Sequence, residues 1–244
     1  MSLLTNTLPS QTLKIVTYPD PMLRVPSTKM TNQTEDTIMS WAHGMRTIAS
    51  NTAMMSNTGW LGIASVQCGL DYSMFITNQS AETIKLPEVF VNPRVVAVDG
   101  LQVIDDGCLS IPGWKFKTTR ARRIVVKYQD PAGNDCTHET NGMGAAVILH
   151  EIDHLNGTLF VDYMPPNYWK KFVKKFGDIV EPPRPNNGDM VKIISDGPGV
   201  RKFHAGKMIE VVDNSNLRAI KMKFSNGTVL TMPATQIQSQ NNGI

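Results

Sequence analysis

The chain has 244 residues, 41% hydrophobic and 18% charged, with a net charge of +3 and three cysteines. That is enough for one generous domain, or a domain with a small appendage. No apolar run approaches the roughly 20 residues that span a bilayer. Cys68, Cys108 and Cys136 are an odd set without repeated spacing, which argues against a disulfide framework, and 1–14 has neither Arg nor a long apolar core to signal export or import. The expected compartment is the cytoplasm.

In chain order, 13–16 reads as a strand or arm before the Pro-rich turn Tyr18-Pro19-Asp20-Pro21, whose prolines resist helix. Ile38, Trp41, Ala42, Met45, Ile48 and Ala49 fall at helical offsets after the possible caps Thr31 and Asn32. They predict an amphipathic helix from about 34 to 56, with His43 on its polar side. In 57–70, Gly and other small residues surround one amide side chain, Gln67, a composition that suits either a packed turn or close approach of backbone to a ligand. Strands are expected at 75–77, 88–91, 95–98 and 124–126; Asn92-Pro93 breaks the second from the third, and Asp130-Pro131-Ala132-Gly133 turns the chain after the last. A mostly β body therefore precedes the apolar helical stretch 144–149, an α+β arrangement.

That stretch runs into His150-Glu151-Ile152-Asp153-His154. Four residues advance about 400° on a helix, so His150 and His154 share a face and both imidazoles reach one metal, with Glu151 beside it as a proton acceptor or donor. Gly157, after Asn156, is a helix stop. Two His at this spacing also occur by chance on solvated helices, and a catalytic metal usually takes three protein ligands. Glu, Asp, His or Cys from elsewhere would supply the third. For a zinc endopeptidase the downstream candidate is His204, which lies beyond a change in composition.

Past the helix, 159–163 reads as a short strand or turn, and 168–176 as an exposed amphipathic helix with four lysines. Pro, Asn and Gly dominate 181–188, which is linker chemistry. Four or five short strands in 189–244, with Asn226-Gly227 as the strongest hairpin signal, suggest a small all-β, SH3-like barrel. Residues 1–188 carry 17 basic and 17 acidic side chains, and 189–244 carry 7 and 4, so the whole excess is in the tail. It is too small to predict a specific nucleic-acid partner.

Gln67 in its Gly/Ala-rich run, Cys108 in Asp-Gly-Cys-Leu-Ser, and the His-Glu-x-x-His helix stand in the order and spacing of the three motifs of the peptide deformylases. With Thr17 to Pro21 and Asn92-Pro93, the resemblance covers roughly residues 11–178. It implies antiparallel sheets around a central metal-binding helix in a catalytic domain, 1–180; composition and turn signals add the linker 181–188 and a β-barrel-like domain of unknown role, 189–244. It further implies a hydrolase that removes the N-formyl group from formylmethionine on nascent polypeptides, releasing formate. Cys108, His150 and His154 would hold one divalent metal, natively Fe2+, with Zn2+, Ni2+ or Co2+ also suited to the donors. Glu151 would be the base and acid, with the Gln67 amide and the Leu109 N–H facing the oxyanion. Ile104, Ala146 and Val147 would line the methionine slot, and the backbones of Leu61, Gly62 and Gly107 would pair with the substrate.

Ribosome contact by the basic tail is left open, and membrane association is not expected. Several positions depart from the family pattern. Trp60 and Ser65 replace a Gly and an Ala before Gln67, which would put a Trp at the cleft edge. Asp106 replaces a Glu, whose shorter side chain would loosen its pair with Arg120, and Leu149 replaces a Gln. These departures motivate the alternative of a catalytically inactive deformylase homologue that binds peptides or the ribosome.

Overall fold

The computed structural model describes residues 13–78, 80 and 86–177, and five C-terminal strands. Helix α1 (Glu35–Met55) starts where Thr34 Oγ1 accepts the Thr37 N–H, with Glu35 and Asp36 in the first turn against the positive end of the helix dipole. Its stripe Ile38, Ala42, Met45, Ala49 and Ala53 is buried. His43 is exposed, as its place on the wheel requires.

One antiparallel sheet runs β1 (Gly62–Ala64), β2 (Met74–Thr77), β3 (Val89–Gly107), β4 (Lys115–Gln129) and β5 (Asp135–Asn141), in sequence order. Asn92-Pro93 does not end a strand. Val91 pairs with Gln129 and the next pair is Arg94 with Lys127, so β3 carries an extra residue there and continues as a bulge. The bulge accommodates a proline that has no N–H for the ladder. Strand β5 was not legible in its polar sequence; as the last strand of this sheet, half-buried at every second residue, it needs little apolar content.

The segment 13–16 is an extended arm rather than a strand. Its Val16 N–H donates to the Gln67 carbonyl and the Tyr18 N–H to the Ser110 carbonyl, both at 2.8 Å, so the arm ties the Gln67 and Cys108 segments together. The 159–163 segment is a 3-10 turn, Phe160–Tyr163.

Helix α2 (Gly142–Leu155) is buried at every position from Gly144 to Leu155. Val147, Ile148, Leu149, Ile152 and Leu155 pack with Phe75, Phe90, Ile124 and Val126 of the sheet. Each such side chain, fully buried, contributes about 1.5–3 kcal/mol, so α2 is a core helix and not a surface one. Gly157 follows it at φ +70, and a Cβ there would collide with the Arg24 carbonyl. Helix α3 (Pro166–Phe176) presses Trp169 and Phe172 onto Tyr18, Ile111 and Phe160, and Lys175 Nζ donates to the Gly113 carbonyl at 3.0 Å. It thereby braces the segment that follows Cys108.

The strands β6 (Met190–Ile193), β7 (Met208–Asp213), β8 (Ala219–Lys223), β9 (Val229–Pro233) and β10 (Ile237–Ser239) form a second antiparallel sheet in the order β10-β6-β7-β8-β9. The 181–188 linker, His204 and the Asn226-Gly227 hairpin lie outside the described residues. Among the described residues no helix is long and apolar enough to cross a membrane.

Candidate metal centre

A core helix that carries His150, Glu151, Asp153 and His154 inside it places four ionisable side chains where water cannot compensate them. Two of them meet a third donor. The rings of His150 and His154 meet edge to face one turn apart, 4.9 Å between centroids, and Cys108 comes in from the turn after β3. Cys108 Sγ lies 3.1 Å from His154 Nε2, and one ligand atom from each of the three residues lies within 4.8 Å of the others. One thiolate and two imidazoles with a fourth position free is the donor set of an open catalytic site for a borderline-soft divalent cation. The side chains fit such an ion in a second respect: burial, then the neighbouring His150, hold His154 well below its usual imidazole pKa, which keeps a lone pair for coordination.

Behind the ligands lies a buried chain of ion pairs. His150 Nδ1 approaches Asp106 Oδ1 to 2.9 Å, at angles off those of a hydrogen bond. Arg120, 1% exposed, donates to Asp106 Oδ2 from Nε and Nη2 at 2.9 and 2.7 Å, and to Asp153 Oδ2 from Nη1 at 2.8 Å. Thr118 Oγ1 adds a bond to Asp106 at 3.0 Å, and the Tyr163 hydroxyl donates to Asp153 at 3.1 Å. Burial opposes the ionised Asp106, but Arg120 and His150 outweigh it and hold the carboxyl far below the usual range. Burial alone would likewise discharge His150; Asp106 reverses this and raises it well above its usual value. With Nδ1 turned to Asp106, Nε2 is the nitrogen left for a metal. Asp106 therefore does not loosen the pair with Arg120: at this position an Asp reaches both the guanidinium and the imidazole.

Glu151 is 3% exposed and its Oε2 has no partner. Burial pushes its carboxyl up to about 7, against the pull of His150. A Cβ added at Gly62 would fall 2.6 Å from Glu151 Oε1, so the absence of a side chain on β1 is what gives the carboxylate its place. Gln67 sits opposite: its Oε1 accepts the Ala64 N–H at 2.9 Å, which fixes the amide so that Nε2 donates to Cys108 Sγ and Ser110 Oγ, each at 3.1 Å. The Leu109 N–H donates no hydrogen bond among the described residues. Cys68, next to Gln67, is buried with its thiol pushed up to about 12, first by burial and then by Glu151, and is no ligand.

Of the sequence-derived substrate residues, Gly62 approaches the centre directly, through Glu151. Leu61 and Gly62 lie half-buried at the start of β1, and Ile104 and Gly107 are on β3, either side of Asp106. Ala146 and Val147, 1% and 6% exposed, are one turn before His150 and Glu151, and Val147 also packs in the core. Trp60 is not at a cleft edge: it is buried with the α1 stripe, and its carbonyl accepts from Asn78 Nδ2. Ser110, Asp153 and Tyr163 went unnoticed in the sequence. For Asp153 the available signal was an acid between the two motif histidines on a helix with apolar flanks.

The chain matches the family model "Polypeptide deformylase" over residues 12–169. It is 33% identical over 165 residues to a peptide deformylase of Borreliella burgdorferi, covering 67% of this chain and 94% of that protein. The peptide deformylase of Alkalilimnicola ehrlichii is 33% identical over 176 residues, 72% of this chain and 95% of the other. Among solved structures, that of the Ehrlichia chaffeensis peptide deformylase in complex with actinonin superposes with a TM-score of 0.56 at 31% identity, covering 67% of this chain and 94% of that one.

Proposed function

The chain belongs to the peptide deformylase family, and on that premise we propose how its own residues remove the formyl group from an N-formylmethionyl nascent peptide. The observation that carries the reading is a buried carboxylate oxygen without a partner, Glu151 Oε2, beside a Cys/His/His cluster and facing a fixed side-chain amide. Cys108, His150 and His154 hold the divalent cation, Fe2+ natively, with Zn2+, Ni2+ and Co2+ also accepted by these donors. The cation supplies Lewis acidity, lowering the pKa of water and polarising a carbonyl.

Glu151 takes a proton from the attacking water as oxygen adds to the formyl carbon. The Gln67 amide, releasing the N–H it gives to Cys108 Sγ, and the Leu109 N–H donate to the oxyanion that develops there. Glu151 then returns its proton to the amine as the C–N bond breaks, leaving formate and a free methionine amino group. The edges at Leu61-Gly62 and Gly107 take the peptide as an added strand, and Ile104, Ala146 and Val147 face the methionine side chain.

Protein purified anaerobically and loaded with iron or nickel should release formate from a formyl-Met tripeptide. No release at full metal occupancy would overturn the reading. Cys108→Ala should bind less than a tenth of the metal, because two imidazoles alone make a poor site; undiminished metal content would remove Cys108 from the centre.

The division into a catalytic domain, 1–180, a linker, 181–188, and an SH3-like β module, 189–244, is part of this proposal, as are a cytoplasmic location and ribosome contact by the basic tail. Ribosome co-sedimentation at moderate salt should fall several-fold when 186–244 is deleted. Equal sedimentation of the two proteins would dispose of the docking role.

A further inference from the structure

A cavity of about 480 Å3 opens where the bulge of β3 meets β4 and β5, and it shares no residue with the metal centre. Lys29, Arg94 and Lys127 line it, against a single carboxylate, Asp135. None of the three cations has an ion-pair partner among the described residues, whereas Lys117 and Arg123 of the same sheet are paired with Asp105 and Glu139. Arg94 and Lys127 stand directly opposite each other on β3 and β4. Like charges in that position destabilise a sheet unless something neutralises them.

One clasp builds this arrangement. Asn92, at φ +48, accepts the Met30 N–H at 2.9 Å and donates to the Met30 carbonyl and to Gln129 Oε1 at 2.8 and 2.9 Å. It thereby fixes Lys29, the neighbour of Met30, and occupies the Gln129 oxygen, so that only the Gln129 NH2 remains to be offered. The bulge it holds is also what sets Arg94 against Lys127. Without the extra residue, Pro93 would take that place and Arg94 would turn to the other face. The bulge, clasp and cross-strand pair thus concentrate donors and positive charge on one cavity.

We propose that this cavity binds the terminal phosphate monoester of a nucleotide, either a free mononucleotide or the 5′-phosphate end of an RNA. Three cations less one carboxylate leave a surplus of about two charges, which matches a phosphate monoester. The guanidinium fork suits phosphate oxygens, and the volume is that of a nucleotide-sized ligand. The assignment is independent of the deformylase mechanism.

Isothermal titration calorimetry of the metal-loaded protein reads occupancy. Adenosine monophosphate or a 5′-phosphorylated 12-nucleotide oligouridylate should bind saturably. Binding of the monophosphate alone assigns a free nucleotide; binding of the oligonucleotide as well, weakening steeply with salt, assigns the end of an RNA; either upholds the site. Arg94→Ala and Lys127→Ala should each weaken binding about 10-fold, Asp135→Asn should strengthen it, and formate release should be unchanged in all three. No binding of either ligand, binding indifferent to Arg94→Ala and Lys127→Ala, or inorganic phosphate binding as tightly as the monophosphate would overturn the proposal.

Discussion

Glu151→Gln should lower formate release by about 10^3- to 10^4-fold, the upper range for a group that both accepts and returns a proton, and leave the metal content intact. Gln keeps the size of the side chain but cannot take a proton. Folding should not suffer, because the carboxylate is held in a low-dielectric site with one oxygen unpartnered, and a neutral amide costs no more to bury than a charge. The melting temperature should be equal or higher. Gly62→Ala is the informative companion: its methyl would meet Glu151 Oε1 at 2.6 Å and Cγ at 2.9 Å, displacing the acid without changing its chemistry. A kcat reduced about 10- to 100-fold with little change in KM is expected, since misplacement by about an ångström costs on that order. Retention of more than a tenth of the activity in Glu151→Gln would remove Glu151 from the proton path.

Much of this site was legible in the sequence, for a physical reason. Helical spacing converts His150 and His154 into neighbours without any tertiary information, and apolar flanks say that the helix is buried. Cys108 and Gln67 are different: nothing local relates them to the helix, and only the resemblance joined them before the structure placed Gln67 Nε2 3.1 Å from Cys108 Sγ. The fold was legible where periodicity is strong, as in α1, and illegible where long-range pairing decides. Asn92-Pro93 looks like a strand break because Pro lacks a donor, yet the clasp to Met30 and Gln129, 62 and 37 residues away, carries β3 through it. Strand β5 is recruited by β4 despite its polar residues. Tyr163 and Asp153 could not be paired from sequence, since the 3-10 turn that returns Tyr163 to the helix reads equally well as a short strand.

The largest effect on folding is expected from Arg120→Leu, which should destabilise the protein by about 3–5 kcal/mol, the cost of stranding buried charge. Arg120 is the single cation shared by two buried carboxylates, Asp106 and Asp153, and the Tyr163 hydroxyl answers only the second. Removing it leaves one negative charge against His150 and another inside α2, with a single hydroxyl each, from Thr118 and Tyr163. Arg120→Lys keeps the charge but not the fork that reaches two carboxylates in different directions, so it should recover less than half of the loss. Urea denaturation of the metal-free proteins measures both. The metal reports the same geometry independently: with Asp106 no longer held against His150, affinity should fall about 10- to 100-fold, as when an outer partner of a ligating histidine is lost. Asp106→Glu in the wild-type background separates the two roles. A longer acid can keep the pair with Arg120 while shifting its approach to His150, so metal affinity should change more than stability does. If instead Arg120→Leu unfolds at the wild-type urea midpoint, the Asp106–Arg120–Asp153 chain does not hold the centre together, and the orientation of His150 must come from the packing of α2 alone.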